Sequence, residues 1–168
     1  GGMVHAYATE LIGSSIYLDK VSVGATVNIM LAAVKARGLT IIENAAREPH
    51  IVDMACFLNA CGAKISGAGT SMIRIKGVEK LHGCTYELAP DMIEAGTYMV
   101  AAAATGGRIC VKNVVPKHME SISAKLREIG IPLEITENSI TVSGAPSFRG
   151  TEIRTNPYPG FPTDMHPQ

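Results

Sequence analysis

Residues 19–26 (DKVSVGAT) combine residue types that can bind an anion. They follow an alternating apolar run that ends at Leu18 and precede a long apolar run with helical spacing. A turn of this kind presents backbone N–H groups at the positive end of a helix dipole. Lys20 adds a mobile charge, and Gly24 lets the backbone approach a ligand closely. The turn is a candidate phosphate-binding site. Residue chemistry alone favours an ordinary helix start, with Ser22 as N-cap and Gly24 required for packing, because most turns between a strand and a helix bind nothing.

Hydrophobic periodicity predicts alternating strands and helices on both sides of this turn. The expected elements are a strand or hairpin at 7–18, a helix at 27–36, a strand at 39–43, a helix at 50–60, a hairpin of 63–66 with 72–76, a strand at 85–88, a helix at 94–104, a strand at 108–112, a helix at 117–129, and a hairpin of 132–135 with 139–142.

The two halves of this pattern repeat each other. Residues 38–44 match 107–113 at an offset of 69 positions, and residues 73–77 match 140–144 at an offset of 67. A slowly drifting offset is typical of a duplicated unit. We therefore predict an α+β (mixed α/β) fold of repeated β-α-β-α-β-β units, with two complete copies and the start of a third.

The third copy begins at Gly150 and does not finish. Residues 156–165 occupy the place that residues 19–26 hold in the first copy, and Thr163 or Asp164 is expected to cap the next helix. We expect a fragment whose unpaired sheet edge favours self-association. The predicted boundaries are a tag remnant at 1–2, repeat units at 3–88 and 89–149, and a truncated unit at 150–168.

Composition excludes several classes of partner. Fifteen basic and fifteen acidic residues cancel, which argues against nucleic acid. No apolar run reaches the roughly 20 residues that a membrane helix needs. Cys56, Cys61, Cys84 and Cys110 form no zinc pattern, and we expect buried, reduced thiols in a cytoplasmic protein. We predict no metal and no cofactor.

Four motifs carry a family resemblance: residues 19–26 (DKVSVGAT), 43–49 (ENAAREP), 81–83 (LHG) and 157–165 (PYPGFPTDM). Together they resemble the UDP-N-acetylglucosamine 1-carboxyvinyltransferase family of bacterial enolpyruvyl transferases. The resemblance implies two lobes of three units each, with an active site between the lobes. It also implies a lobe crossing near residues 87–90. Met92 departs from the family pattern, which often has arginine at this position.

The resemblance also implies an activity. Enolpyruvate would pass from phosphoenolpyruvate to the 3′-hydroxyl of UDP-N-acetylglucosamine through a tetrahedral ketal, with loss of phosphate, in the first committed step of peptidoglycan precursor synthesis. Asp164 matches the family aspartate at the sugar hydroxyl and would accept its proton. The family's catalytic cysteine and phosphoenolpyruvate-binding cations lie outside this chain, so we expect no turnover from the chain alone. The residues that match the UDP-sugar contact are Lys20, Val21, Ser22, Val23 and Gly24.

Three other functions compete with this one. Within the enzyme class, a shikimate-phosphate enolpyruvyl transferase is the runner-up. A freestanding binding or assembly module would need a chain that closes its own core. An RNA-handling protein built from similar units would need a basic face, which the zero net charge disfavours.

Overall fold

The computed structural model describes residues 2–168, which divide into two compact units between Glu87 and Leu88. Residue 1, half of the predicted tag remnant, lies outside the described residues. The helix and strand content confirms the predicted α+β class. In chain order the elements are β1 (Ser15–Tyr17), α1 (Val23–Ala33), β2 (Leu39–Glu43), α2 (Pro49–Ala60), β3 (Lys64–Ser66), β4 (Met72–Lys76), α3 (Met92–Thr105), β5 (Arg108–Lys112), a 3₁₀ helix (Pro116–Met119), α4 (Glu120–Glu128), β6 (Leu133–Ile135), β7 (Ser139–Ser143) and a second 3₁₀ helix (Thr163–Met165).

The first unit is a four-stranded sheet with two helices packed on it. The strand order is β1-β2-β4-β3, in which β1 pairs parallel with β2 and the other pairs are antiparallel. In β4, Ile73 and Ile75 are buried while Arg74 and Lys76 are exposed, as the two-residue period of a strand requires. The buried side chains meet Met30 of α1 in the core of this unit.

The second unit is a three-stranded antiparallel sheet of order β5-β7-β6, which α3 and α4 contact. Its core includes Met99 of α3, Ile122 of α4 and Ile140 of β7. Met165, from the second 3₁₀ helix, is only 2% exposed and joins the same core. The C-terminal segment of this unit is therefore held by packing rather than by a sheet.

Helix α1 begins earlier than predicted, and its start is the turn of interest. The periodicity predicts a start at Val27, whereas the helix begins at Val23 because Ser22 caps it. The predicted helix at 117–129 instead begins as a 3₁₀ turn at Pro116 and becomes α-helical at Glu120. In both places the chemistry of the first turn decides the boundary.

Two predicted strand segments and the start of the third copy differ from the expected pattern. Residues 85–88 form no strand, and the segment contacts α2 instead, through Tyr86. The predicted strand at 7–18 is reduced to β1 and an isolated bridge between Ile12 and Arg37. Residues 150–155 form only a bridge between Thr155 and Phe161. A strand forms only where a neighbour accepts its backbone hydrogen bonds, and a single sequence does not reveal that neighbour.

Candidate functional site

The segment between β1 and α1 is fixed to the segment that follows β2. The Leu18 N–H donates to the Glu43 carbonyl oxygen over 3.1 Å. The Asn44 side-chain amide donates to the Leu18 carbonyl oxygen over 2.8 Å. Asn44 has a φ of 57°, a left-handed conformation that asparagine tolerates better than most residues. The chain therefore leaves β1 in a defined direction before it reaches Lys20.

Ser22 caps α1 in the way that the sequence predicts. Its backbone is extended, with a φ of −140°, and its Oγ accepts a hydrogen bond from the Ala25 N–H over 3.2 Å. Its carbonyl oxygen accepts from the Thr26 N–H over 3.0 Å and from the Thr26 hydroxyl over 2.7 Å. The same hydroxyl accepts from the Ala46 N–H over 3.0 Å. The first turn of α1 is thus held rigidly to the rest of the unit.

The outer side of this turn is open to solvent. Lys20 and Gly24 are exposed, and α1 has no acidic residue in its first turn. Across residues 2–168, no protein acceptor bonds the N–H groups of Val23 and Gly24. These two donors point along the helix axis, where the dipole favours an anion.

Gly24 is not required for packing. A Cβ atom built at this position would meet nothing within 4 Å, and its φ lies outside the left-handed region. The packing alternative for Gly24 is therefore wrong, although the N-cap interpretation of Ser22 is right. The side chains of Val21 and Val23 are half-buried and pack against the core of the first unit. Those two valines can offer backbone groups to a ligand, while their side chains anchor the turn.

Asp164 lies on the second 3₁₀ helix, in the other unit. Its side chain is exposed and makes no hydrogen bond within the described part of the chain. Pro162 occupies the cap position of this turn, and neither Thr163 nor Asp164 makes a capping hydrogen bond there, so the predicted N-cap role is wrong for this turn. A capping side chain needs an N–H two or three residues further along a continuing helix.

Packing and hydrogen bonds around Asp164 hold it in place from behind. Met165 packs over Gly96 of α3 so closely that a Cβ there would lie 2.9 Å from the Met165 sulfur. The Gln168 amide, in its satisfied orientation, donates to the carbonyl oxygens of Asp164 and Met165 over 3.2 and 3.1 Å and accepts from the Thr97 hydroxyl over 3.0 Å. The exposed carboxylate is therefore attached to a backbone that packing and hydrogen bonds hold in place.

The predicted site residues thus form two groups. Lys20, Val21, Ser22, Val23 and Gly24 lie together in one turn of the first unit, and Asp164 belongs to the second unit. Sequence reasoning missed the supporting residues Asn44 and Thr26. The signal for Thr26 was its position four residues after Ser22, where a threonine hydroxyl can reach the Ser22 carbonyl oxygen.

A cavity in the second unit was also missed. It has a volume of about 250 Å³ and lies between α3, α4 and the C-terminal segment. Its walls are mostly apolar and include Val100, Leu126, Phe148 and Phe161, with Lys125 at one side. The residue spacing does not predict this cavity, because segments that are far apart in the sequence form its walls.

The structure was also searched for metal ligands and membrane spans. Within residues 2–168, no three His, Cys, Asp or Glu side chains converge as metal ligands would. None of the helices in that range has the length and apolar character needed to cross a membrane. The cysteines differ from expectation: Cys61 is buried, but Cys56, Cys84 and Cys110 are exposed, and all four are free.

Comparison with known proteins gives a consistent family assignment. Residues 3–168 match the sequence model of the family described as EPSP synthase (3-phosphoshikimate 1-carboxyvinyltransferase). The chain is 59% identical over 163 residues to UDP-N-acetylglucosamine 1-carboxyvinyltransferase 2 of Clostridium acetobutylicum, covering 97% of the chain and 39% of that protein. It is 56% identical over 164 residues to UDP-N-acetylglucosamine 1-carboxyvinyltransferase of Clostridium botulinum, covering 98% of the chain and again 39% of the relative. The chain thus spans about two fifths of the length of these relatives.

Solved structures show a similar fold. The enolpyruvyl transferase NikO from Streptomyces tendae superimposes with a TM-score of 0.80 at 23% identity, over 95% of this chain and 41% of that one. An EPSP synthase from Acinetobacter baumannii gives a TM-score of 0.59 at 23% identity, over 86% of this chain and 34% of the other. At this level of identity, both comparisons concern the fold alone.

Proposed function

This chain belongs to the EPSP synthase (3-phosphoshikimate 1-carboxyvinyltransferase) family, and we propose that it is the part of an enolpyruvyl transferase that binds UDP-N-acetylglucosamine and activates its 3′-hydroxyl. The observation that carries the proposal is the identity of 56–59% to relatives named for that acceptor, over nearly the whole chain. The reaction transfers enolpyruvate from phosphoenolpyruvate to the 3′-oxygen through a tetrahedral ketal and releases inorganic phosphate.

The turn at residues 20–24 would bind the nucleotide sugar. Its N–H groups at Val23 and Gly24 and the charge of Lys20 match a phosphate group, since hydrogen bonds to charged groups are about twice as strong as neutral ones. The open space above Gly24 lets a diphosphate approach the helix end. The hydrogen bonds of Ser22 and Thr26 position these donors before the ligand arrives.

Asp164 would accept the proton of the 3′-hydroxyl as that oxygen attacks the second carbon of phosphoenolpyruvate. A carboxylate is a weak base, so its contribution depends on orientation in a site that excludes water. The support from Met165 and Gln168 supplies the orientation. In the same step the carbon–carbon double bond opens and the third carbon of phosphoenolpyruvate takes up a proton, which gives the ketal. Loss of phosphate from the second carbon and of a proton from the third carbon then restores the double bond in the product.

The repeated architecture belongs to the same proposal. The first unit has the element order β-α-β-α-β-β, and the second has the same order without its opening strand. We infer that residues 3–88 and 89–149 are two copies of one unit and that residues 150–168 open a third. A cytoplasmic location is part of the proposal too, and the four free thiols support it.

A chimaera tests the activity. The matched 163 residues of the C. acetobutylicum relative are replaced by those of this chain, and phosphate release is measured with phosphoenolpyruvate and UDP-N-acetylglucosamine. We expect an active chimaera in which Asp164→Ala lowers kcat by about 100-fold or more, the usual range for a general base. Glu152→Ala, another exposed carboxylate of the same segment, is the matched control and leaves kcat unchanged.

Shikimate 3-phosphate is the competing acceptor, because the family model is named for the enzyme that uses it. The chimaera distinguishes the two acceptors, since each is offered at the same concentration with phosphoenolpyruvate. Phosphate release with shikimate 3-phosphate but not with the UDP-sugar would overturn the proposed acceptor. A properly folded chimaera that releases phosphate with neither would overturn the proposed activity.

A further inference from the structure

Two cysteines outside the proposed site face each other at the end of the first unit. The Sγ atoms of Cys61 and Cys84 lie 3.4 Å apart, although the two residues are 23 positions apart in the chain. Cys61 is the C-cap of α2, and Cys84 belongs to the segment that leads to the boundary at Glu87. A disulfide needs sulfurs about 2.05 Å apart, so a small side-chain movement would join these two.

The segment that carries Cys84 is irregular and is held to α2 on both sides of that residue. Before it, the His82 N–H donates to the Cys61 carbonyl oxygen over 2.9 Å. After it, the Tyr86 hydroxyl donates to Asp53 Oδ1 over 2.8 Å, and the Tyr86 ring meets Phe57 edge-on at 5.6 Å between centroids. These contacts fall along one face of α2 and keep the two thiols in register.

We propose that Cys61 and Cys84 are a redox-responsive pair, which low-molecular-weight disulfides convert to an intrachain disulfide that fastens residues 82–86 to the end of α2. The proposal is independent of the UDP-sugar function. A metal site is a poorer interpretation of the two thiols, because within residues 2–168 no third ligand side chain joins them.

The chemistry proceeds by thiol–disulfide exchange in two steps. The exposed Cys84 thiolate attacks one sulfur of the small disulfide, which forms a mixed disulfide and releases one small thiolate. The Cys61 thiolate then attacks the Cys84 sulfur, which forms the Cys61–Cys84 bond and releases the second small thiolate. The two protons of the protein thiols end on the two released small thiols, so the small disulfide is reduced and the pair is oxidised.

The environments of the two thiols set this order. Cys61 is 8% exposed, whereas Cys84 is exposed to solvent. The hydrogen bond with Cys84, together with burial, raises the pKa of the Cys61 thiol above its ordinary value. Cys61 is therefore a poor first nucleophile at neutral pH, and it reacts once Cys84 carries a leaving group beside it.

The test uses the full 168-residue chain with Cys56→Ser and Cys110→Ser, which leaves only the pair. The native protein is incubated with oxidised glutathione, free thiols are then alkylated in acid, and tryptic peptides 48–64 and 81–108 are analysed by mass spectrometry. We expect the crosslinked peptide pair to exceed glutathione adducts by about tenfold or more, because the second thiol is already in place. Further substitution of Cys84 with serine abolishes the crosslink, and dithiothreitol reverses it.

Crosslinking in urea and hydrogen exchange provide two further tests. In urea the preference for the crosslink falls, because the two thiols are no longer held together. Hydrogen exchange of residues 82–86 slows on oxidation and recovers on reduction. A stable glutathione adduct at Cys84 with Cys61 still alkylated would overturn the proposal. Crosslinking between chains, or equal crosslinking in urea, would overturn it as well.

Discussion

The Thr26 hydroxyl is the connection on which the geometry of the candidate phosphate turn depends. Thr26 is fully buried, and its hydroxyl donates to the Ser22 carbonyl oxygen while accepting from the Ala46 N–H. Thr26→Val keeps the shape of the side chain and removes both bonds. The Ser22 carbonyl oxygen keeps the bond from the Thr26 N–H, so it is not left unpaired.

The stability lost in Thr26→Val comes mainly from Ala46, which is 0% exposed. Its N–H loses its acceptor and no water replaces it; a buried unsatisfied donor costs about 1–3 kcal/mol. We therefore expect Thr26→Val to lower the unfolding free energy of the first unit by about 2 kcal/mol, which corresponds to about 30-fold faster exchange of its most protected amides.

Native-state hydrogen exchange by NMR measures this change in each unit separately, which a single global unfolding curve does not. The amides of β2 and β4 report on the first unit, and those of β7 are the internal reference. Thr105→Val is the matched control, because the exposed Thr105 hydroxyl donates to the carbonyl oxygens of Ala101 and Ala102 within α3 and to no group outside that helix. A change below about 0.5 kcal/mol in Thr26→Val, the usual scale for surface substitutions, would refute the reasoning.

Three other predictions follow from glycine packing and from one tyrosine. Gly24→Ala adds a methyl group in open space, so we expect the unfolding free energy of the first unit, measured by hydrogen exchange, to rise by about 0.5 kcal/mol. Calorimetry should show weaker UDP-sugar binding, and an unchanged affinity would contradict the proposed close approach. Gly96→Ala places a methyl group against Met165, so we expect the unfolding free energy of the second unit to fall by about 1–3 kcal/mol, measured by hydrogen exchange of its core amides. An unchanged unfolding free energy would contradict this packing. The hydrogen bond to Asp53, with burial, raises the pKa of Tyr86 to about 12, so the stability due to this bond is complete below pH 10 and is lost as the pH rises through 12. Tyrosinate absorbance checks this, because Tyr86→Phe removes a component that titrates near pH 12, and an unchanged titration in that range would contradict the expected shift.

Much of the fold follows from local patterns. Residues 39–43 and 108–112 are strands within their predicted bounds, because both runs contain β-branched residues and a glycine precedes each run. The N-cap at Ser22 is equally predictable, since a serine before an apolar helical run strongly indicates the start of a helix.

The remaining features depend on contacts between distant segments. Residues 85–88 have strand-like composition, yet Tyr86 finds its partners on α2 instead of in a sheet. Asp164 has the right residue type for a cap, but Pro162 occupies the cap position of its turn. The exposure of Cys84 and its proximity to Cys61 are likewise invisible in a pattern of spacing. Local chemistry predicts what a residue can do, and tertiary contacts decide whether it does so.

The central claim is that the turn at residues 20–24 binds the diphosphate of UDP-N-acetylglucosamine. An NMR titration of the 168-residue chain with this ligand tests it directly. We expect saturable shifts of the Val23 and Gly24 amides, with an affinity about tenfold weaker in Lys20→Ala and unchanged in Lys76→Ala, which removes an exposed charge from β4. Saturable shifts that omit Val23 and Gly24, no shifts at all, or equal weakening by both lysine substitutions would contradict the claim.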